Sequence, residues 1–476
     1  MQHTREHHIK SIAALTIVLG LVFMGQYSAE SNHASLSDIS SMWQGRIGST
    51  RTYNMPSASR GHSQEERIAM RLQRRLRNSG TLSAPPLSEL VEAVEQRQSL
   101  LSRHFRVAFA TEENPEQTVW DVSAQRYPLW IQPSFTLRNA SFTLNTTAIQ
   151  HTMDSEIVLE LDAPIHAVLK NIEWAEFSDR KNASRAEVEG VAKSGYLPDA
   201  DLAAGSIAKA FGSDLETITI PLKKIDGRVV NMTGEDMGEL VLWGQGRSDY
   251  TGSTYARKMN VQKALNQHVL NTVVRPGEQY SFNSTLDGPV SQGNGWHMAK
   301  VIFNGGDLEY APGGGICQAS TTVYRAIVNA GFPVEERRAH SLFVSYYEKH
   351  GIGIDATIYP GSQDLVFTND TGNPLLIQSY NDGMEAFVNI FGTPDGRTVE
   401  LTGPHFAANA PDDYRYKGRN LKPTEIVWDN KVSYLDGTVR TEQIGSRYKT
   451  LPQYLAKKYL PNAVVHASAP LASTLE

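Results

Sequence analysis

A single cysteine, Cys317, closely follows three consecutive glycines, Gly313, Gly314 and Gly315. Because it is the only cysteine among 476 residues, Cys317 cannot form an internal disulfide. Glycine takes positive φ readily and lets another chain approach its backbone, so these glycines predict a tight turn or a surface that holds the main chain of a substrate. The thiol could act there as a nucleophile. A packed, unreactive cysteine is the alternative, and these four residues do not decide between the two.

The residues after Cys317 predict a helix that begins close to the cysteine. Val323 and Ile327 recur at helical spacing, and Gly331 marks the end of the pattern. The unpaired N–H groups and the positive end of the dipole at a helix N-terminus lower the pKa of a thiol below its usual value of about 8.5. The same N–H groups could stabilise an oxyanion.

The blocks around Cys317 resemble the VanW family, which is named for an accessory protein of glycopeptide-resistance clusters. The matching blocks, in order, are residues 249–253, 257–261, 275–283, 313–324, 336–341 and 353–357. They span residues 246–397, about one third of the chain. The resemblance implies a cell-envelope protein with a mixed α/β domain. It also implies L,D-transpeptidase chemistry on peptidoglycan through Cys317.

The same resemblance points to partners for the thiol. His340, in the 336–341 block, is the predicted base that takes the thiol proton and later protonates the leaving amine. Asp355 would orient this imidazole, although it could equally cap a turn, and Ser341 is a weaker candidate for the same role. His297 is the alternative base.

Several residues of these blocks are predicted to contact a stem peptide of peptidoglycan. They are Gly313, Gly314, Gly315, Gln318, Arg337 and Ser341. The guanidinium fork of Arg337 suits bidentate binding of a carboxylate, but this arginine and Arg338 could equally pair with Glu335 and Glu336 at the surface.

Composition excludes other classes of function. Lys and Arg number 45 against 51 Asp and Glu, and the net charge of −6 argues against nucleic acid as a partner. The chain has no metal-ligand spacing, no phosphate-binding loop and no Gly-x-Ser-x-Gly pattern. No metal and no cofactor are predicted. The rival class is a non-catalytic peptidoglycan-binding or glycopeptide-resistance accessory protein.

The first residues predict export. Arg5 and Lys10 precede an apolar run at residues 12–24, which is typical of a secretory signal or of an uncleaved membrane anchor. We therefore expect the rest of the chain to be extracytoplasmic, either secreted or anchored in the bacterial membrane.

The predicted fold class is α+β or mixed α/β, with several domains. The predicted divisions are a signal or anchor at 1–29, a linker and helical stalk at 30–104, an α+β module that could bind peptidoglycan at 105–245, the VanW-like domain at 246–397 and a small β-rich extension with a tail at 398–476.

Individual helices and strands are predicted from local signals. Ser63 and Glu66 form a capping box at the start of one helix, Pro85 and Pro86 precede a second, and residues 200–211 form a third. Predicted strands lie at residues 127–131, 135–144, 157–161, 167–174, 217–222, 414–417, 424–428, 431–434 and 437–442.

Overall fold

The computed structural model of the protein describes residues 61–78, 84–112, 114–176, 182–303 and 307–459. The predicted signal or anchor and the C-terminal tail lie outside the described residues. Within these ranges, no helix has the length and apolar character needed to cross a membrane. The fold is mixed α+β, as predicted. The chain divides into two compact units, one of residues 1–103 and 123–145, the other of residues 104–122 and 146–476.

The regular elements are numbered in chain order. The helices are α1 (Gln64–Asn78), α2 (Leu87–Ser102), α3 (Thr146–Glu156), α4 (Ala200–Ala210), α5 (Tyr255–Lys263), α6 (Phe282–Thr285), α7 (Ile316–Ala330) and α8 (Tyr454–Lys458). The strands are β1 (His104–Ala110), β2 (Thr118–Ser123), β3 (Ile131–Phe135), β4 (Ala140–Leu144), β5 (Ala167–Glu173), β6 (Ser184–Glu189), β7 (Gly195–Pro198), β8 (Thr217–Ile225), β9 (Val229–Asn231), β10 (Val241–Asp249), β11 (Thr272–Val274), β12 (Gln279–Ser281), β13 (Met298–Phe303), β14 (Asp307–Pro312), β15 (Val334–Glu336), β16 (Val366–Thr368), β17 (Leu375–Asp382), β18 (Glu385–Gly392), β19 (Thr398–His405), β20 (Glu425–Ser433) and β21 (Val439–Arg447). Short 3-10 or π turns lie at Pro128–Trp130, Val158–Glu160, Ala264–Val269, Gln292–Asn294 and Ser345–Tyr347.

The first unit contains α1, α2 and the hairpin β3–β4. The predicted capping box of α1 is confirmed, because the Ser63 N–H donates to Glu66 at 2.9 Å and the Glu66 N–H donates to Ser63 Oγ at 3.1 Å. Leu72 of α1 packs with Leu90 and Val94 of α2 in a small apolar cluster. The two predicted stalk helices therefore form a packed hairpin.

Three of the predicted strands are wrong, and a fourth, at 135–144, is not one strand because it includes the turn between β3 and β4. Residues 127–131 contain a 3-10 turn that begins at Pro128, since proline at the first helical position favours a helical start. Residues 157–161 continue the unpredicted helix α3, where Ile157 N–H donates to Met153 O at 2.8 Å and both side chains are buried. Residues 414–417 form a turn rather than a strand.

The second unit is built on a seven-stranded sheet in the order β10-β18-β17-β11-β6-β5-β9. This sheet combines strands from the predicted 105–245 module with strands from the VanW-like region. The predicted boundary at residue 246 falls inside β10, so the two regions share one sheet. A separate four-stranded sheet, in the order β2-β1-β8-β7, carries the predicted strand at 217–222.

Helix α7 lies directly on strand β10. Its buried apolar face includes Val323 and Ile327, and it ends at Gly331, whose φ is 74° as the stop signal predicts. Two glycines of β10 allow the close approach. A Cβ added at Gly246 would lie 1.9 Å from Thr322 O, and one added at Gly244 would lie 2.6 Å from the Cβ of Ala330.

The region predicted as a C-terminal β-rich extension contains a three-stranded sheet in the order β19-β20-β21. The two short strands predicted at 424–428 and 431–434 are one continuous strand, β20. This sheet packs on the VanW-like region, because Ile426 and Trp428 belong to its apolar core and the Trp428 indole donates to Ile352 O at 2.7 Å.

We predict that Gly246→Ala lowers the free energy of unfolding by about 3 kcal/mol, because its methyl group would overlap the backbone of α7. Urea unfolding monitored by circular dichroism measures the change. The control is Gly205→Ala on α4, where nothing lies within 4 Å of the added Cβ, and it should stabilise by up to about 1 kcal/mol. Equal effects of the two substitutions would contradict the close packing of α7 on β10.

Candidate active site

The glycine turn delivers Cys317 to the first turn of α7. Gly313 and Gly315 have φ values of 82° and 118°, which favour glycine. A Cβ on Gly314 would lie 2.7 Å from Ala299 O, so this residue must be small for the turn to pack on β13. The predicted tight turn is confirmed. All three glycines are buried, and their contact with a substrate stays a prediction.

The start of α7 is fastened to the 353–358 segment by hydroxyl groups. Ser320 Oγ and Thr321 Oγ1 donate to Ala356 O at 2.6 and 3.2 Å, and the Ala356 N–H donates back to Thr321 Oγ1 at 3.1 Å. The Cys317 Sγ consequently lies 3.6 Å from both Thr357 Oγ1 and Ile358 O. Taken as a whole residue, Cys317 remains partly exposed.

His340 and Asp355 form a buried pair beside the thiol. The Asp355 Oδ2 atom accepts from His340 Nδ1 at 2.5 Å and from the His340 backbone N–H at 2.8 Å. The two side chains are 6% and 1% exposed, so solvent does not compete for these bonds. Because Nδ1 is occupied by Asp355, Nε2 is the ring nitrogen left to exchange a proton with Cys317.

The second oxygen of Asp355 is held from the C-terminal sheet. The Tyr448 hydroxyl donates to Oδ1 at 2.7 Å, and Ser446 Oγ lies 3.3 Å from the same atom. The Arg337 guanidinium adds a charge 3.5 Å away. A buried carboxylate requires such partners, and here they keep it ionised and fixed in orientation.

These contacts shift the pKa of each member of the site. Burial raises the pKa of the Cys317 thiol, but the hydrogen bond and charge of His340 outweigh burial and lower it to about 7. Burial lowers the pKa of His340, and the Tyr347 phenol and the Asp355 carboxylate raise it well above its ordinary value of 6.5. Burial raises the pKa of Asp355, whereas its bond to His340 and the charges of His340 and Arg337 hold it well below 3.8.

The arrangement can support nucleophilic catalysis. A thiol with a pKa near 7 next to an imidazolium is about half ionised to the thiolate at neutral pH, and the imidazolium can protonate a leaving amine. The structure thus brings together Cys317, His340 and Asp355, which the sequence proposed as catalytic. Two N–H groups at the helix start, those of Ile316 and Gln318, already donate to Gly313 and Gly315 carbonyls. They are therefore not available as the predicted oxyanion donors.

The predicted substrate contacts need correction at two positions. Gln318 is fully buried, and its amide donates to Asp249 O at 2.9 Å and accepts from Arg257 Nη2 at 2.8 Å. Arg337 donates to the backbone carbonyls of Asp355 and Gly445 at 2.7 and 2.9 Å, and its side chain is 11% exposed. Both side chains hold the site together and do not face a ligand.

The remaining candidates lie around this centre. The Ser341 carbonyl accepts from the Lys449 N–H at 2.8 Å, which links the site to the C-terminal segment. The alternative base His297 is exposed, and its ring centre lies 6.2 Å from that of Tyr255. His340, rather than His297, is the imidazole that lowers the pKa of Cys317.

Sequence reasoning missed the residues that arrive from elsewhere in the chain. Tyr448 and Ser446 lie about ninety positions after Asp355, and no local pattern connects them to it. Arg257 lies within a block that resembles the VanW family, so the sequence included it in the matching region. Its contact with Gln318 was not predicted.

No metal site is found in the part of the chain that the structure describes, since no group of three or more His, Cys, Asp or Glu side chains could hold an ion there. A pocket of about 220 Å³ lies apart from the thiol, and Ser184, Thr272 and Tyr280 are among its lining residues. It includes none of the three residues around the thiol, so it does not form part of this site.

Comparison with known proteins agrees with the resemblance. Residues 256–391 match the family described as "VanW like protein". The chain is similar to the uncharacterized protein YoaR of Bacillus subtilis (strain 168), with 29% identity over 174 residues, which is 36% of the chain. The alignment covers 52% of YoaR, so the chain spans about half the length of this curated relative. No solved structure matches the chain.

We predict that the rate of Cys317 alkylation by iodoacetamide has a midpoint near pH 7, because the thiolate forms as the pH rises through the thiol pKa. Below the midpoint the rate should fall about tenfold per pH unit. In His340→Gln no imidazole offsets the effect of burial, which raises the pKa of the thiol. The midpoint of the alkylation rate should therefore move above about pH 8.5. His297→Gln is the control and should keep the wild-type midpoint. An unchanged midpoint in His340→Gln would contradict the Cys317–His340 pairing.

We predict that Tyr448→Phe raises the alkylation midpoint by roughly half a pH unit or more, because Asp355 loses the donor that fixes its orientation toward His340. The matched control is Tyr414→Phe, which removes a tyrosine-to-aspartate bond of 3.0 Å, to Asp429, from the same C-terminal sheet. A purely structural role for Tyr448 would lower stability in both variants and shift the midpoint in neither.

Proposed function

We propose that this chain, whose residues 256–391 match the VanW family, acts on peptidoglycan as a cysteine-dependent L,D-transpeptidase of the bacterial cell envelope. One observation carries the proposal. The thiol of the partly exposed Cys317, with its pKa lowered to about 7, lies beside a buried His340–Asp355 pair. A cysteine that only packs in a core does not require an adjacent His–Asp pair, whereas a nucleophilic cysteine depends on such partners to form its thiolate.

The first half of the proposed reaction forms a thioester. The Cys317 thiolate attacks the carbonyl carbon of the dibasic third residue in a tetrapeptide stem, and a C–S bond forms. When the tetrahedral intermediate collapses, the C–N bond to the terminal D-alanine breaks. His340, protonated at Nε2, gives its proton to the departing amine, and Asp355 stabilises the imidazolium until that transfer.

The second half transfers the acyl group. The side-chain amine of a neighbouring stem attacks the thioester carbon, and neutral His340 accepts a proton from that amine. The C–S bond then breaks and the thiolate and imidazolium are restored, so the site is ready for another cycle. Water in place of the amine would give an L,D-carboxypeptidase from the same residues.

The rest of the chain would place the proposed active site at the bacterial cell wall. The apolar run at residues 12–24 would export the protein or anchor it in the membrane, and residues 105–245 would bind peptidoglycan. Stem peptides would be the partners of the site, with no nucleic acid and no cofactor involved. Strands of the 105–245 region and of the VanW-like region lie in one sheet, which supports a direct structural coupling between the two regions.

Intact-mass analysis of the full-length chain, solubilised in detergent, tests the reaction. After incubation with purified tetrapeptide muropeptides, we predict a mass increase equal to the stem minus D-alanine, together with cross-linked product. The adduct should be absent from Cys317→Ala and present in His297→Gln, which retains the thiol and His340.

One result would overturn the transpeptidase. If the folded protein binds peptidoglycan and its thiol alkylates at neutral pH, but neither adduct nor product forms, the chain acts as a non-catalytic wall-binding or glycopeptide-resistance accessory protein. Product with a free carboxyl group and no cross-link would identify the carboxypeptidase instead.

A further inference from the structure

Arg257, on α5, carries a positive charge close to the proposed nucleophile. We propose that its guanidinium binds a carboxylate of the acyl donor, so that Arg257 selects substrates with a free carboxylate near the attacked carbonyl. The identity of the acyl donor rests on the proposed function, whereas the carboxylate site itself does not.

Two contacts place Arg257 against the start of α7. A Cβ added at Gly315 would lie 3.1 Å from Arg257 O and 3.2 Å from its Cγ. Its Nη2 donates to Gln318 Oε1 at 2.8 Å. Gly315 and Gln318 flank Cys317 in the chain, so the guanidinium lies beside the turn that presents the thiol.

A third contact relates Arg257 to His340. The guanidinium carbon lies 5.1 Å from the ring centre of Tyr346, which is a cation–π contact. The next residue, Tyr347, has its ring centre 5.3 Å from that of His340. The single turn Ser345–Tyr347 therefore contacts both the arginine and the imidazole.

The charge of Arg257 is not neutralised within the protein. Among the described residues, no carboxylate lies within ion-pair distance of its guanidinium, and its Nε is buried without a hydrogen-bond partner. Two other arginines near α7 differ. Arg397 pairs with Asp370 and Asp395, and Arg247 pairs with Glu385. The neutral amide of Gln318 orients Arg257 but cannot balance its charge.

The chemistry of the acyl donor matches this charge. A tetrapeptide stem carries a terminal carboxylate one residue beyond the carbonyl that Cys317 would attack. A guanidinium presents parallel N–H donors that suit the two oxygens of a carboxylate, and partial desolvation strengthens the pairing. The sequence-based assignment of this role to Arg337 fails because Arg337 is occupied by protein acceptors, and Arg257 is the arginine that remains available.

Two alkylating reagents of similar size test the site without any peptidoglycan. Iodoacetate carries a carboxylate and iodoacetamide is neutral. We expect the ratio of their rates with Cys317, divided by the same ratio for N-acetylcysteine, to be about fivefold or more in the wild type. In Arg257→Gln this normalised ratio should fall to about one. Lys258→Gln, with the same charge change at the next position of α5, should retain the wild-type ratio.

Arg257→Lys is a second variant that keeps the test valid if Arg257→Gln fails to fold. Lysine keeps the charge but loses the fork, so it should retain part of the iodoacetate preference. Equal ratios in the wild type and in both Arg257 variants, with circular dichroism unchanged, would overturn the proposal. So would an equal loss in Lys258→Gln, since bulk charge would then explain the effect.

A substrate arm separates this inference from the proposed function. With tetrapeptides whose terminal carboxylate is free or amidated, Arg257→Gln should raise KM for the free acid at least about tenfold and leave the amide unaffected. A preference for iodoacetate that depends on Arg257, with no turnover of any peptide, would keep the carboxylate site and reject the transpeptidase. Turnover with no discrimination between acid and amide would keep the enzyme and reject the role of Arg257.

Discussion

The position of the Cys317 thiol depends on how closely helix α7 approaches strand β10. Gly244 and Gly246 leave no side chain between the strand and the helix, and the backbone of one lies against the backbone of the other. Arg325, buried at the middle of α7, then donates to the carbonyls of Arg247, Tyr347, Gly351 and Ile354 at 2.6 to 3.0 Å. Because a buried guanidinium must satisfy its donors, Arg325 ties the loops that carry these carbonyls to α7, and α7 in turn packs on the sheet.

A second constraint is the buried carboxylate of Asp355. An unpaired charge at that depth would be too costly to remain ionised, so the fold supplies donors from three directions: His340, Arg337 and Tyr448. Tyr347 and the ionised Asp355 raise the pKa of His340 against the effect of burial, and His340 in turn lowers the pKa of Cys317. The pKa of the Cys317 thiol thus depends on a connected network of buried and partly buried side chains rather than on the cysteine alone.

The sequence alone was informative where its signals are local. Helix α7 was predicted because its apolar period and Gly331 act within a few residues, and Cys317, His340 and Asp355 were found because each lies in a recognisable block. The role of Tyr448 could not be predicted, because strand β21 meets Asp355 only after the C-terminal sheet has folded onto the VanW-like region. Gln318 was misassigned for a related reason, since its burial depends on β10 and α5 rather than on its neighbours in the chain.

The bond between Tyr448 and Asp355 has a consequence for how this protein can be divided. A fragment that ends with the matched family region at residue 391 would keep Cys317, His340 and Asp355 but would lose β20, β21 and the hydroxyl that holds the carboxylate. It would also expose the apolar surface that Ile426 and Trp428 cover. A fragment that keeps all the side-chain partners of Asp355 therefore extends to at least residue 448, well past the end of the family match.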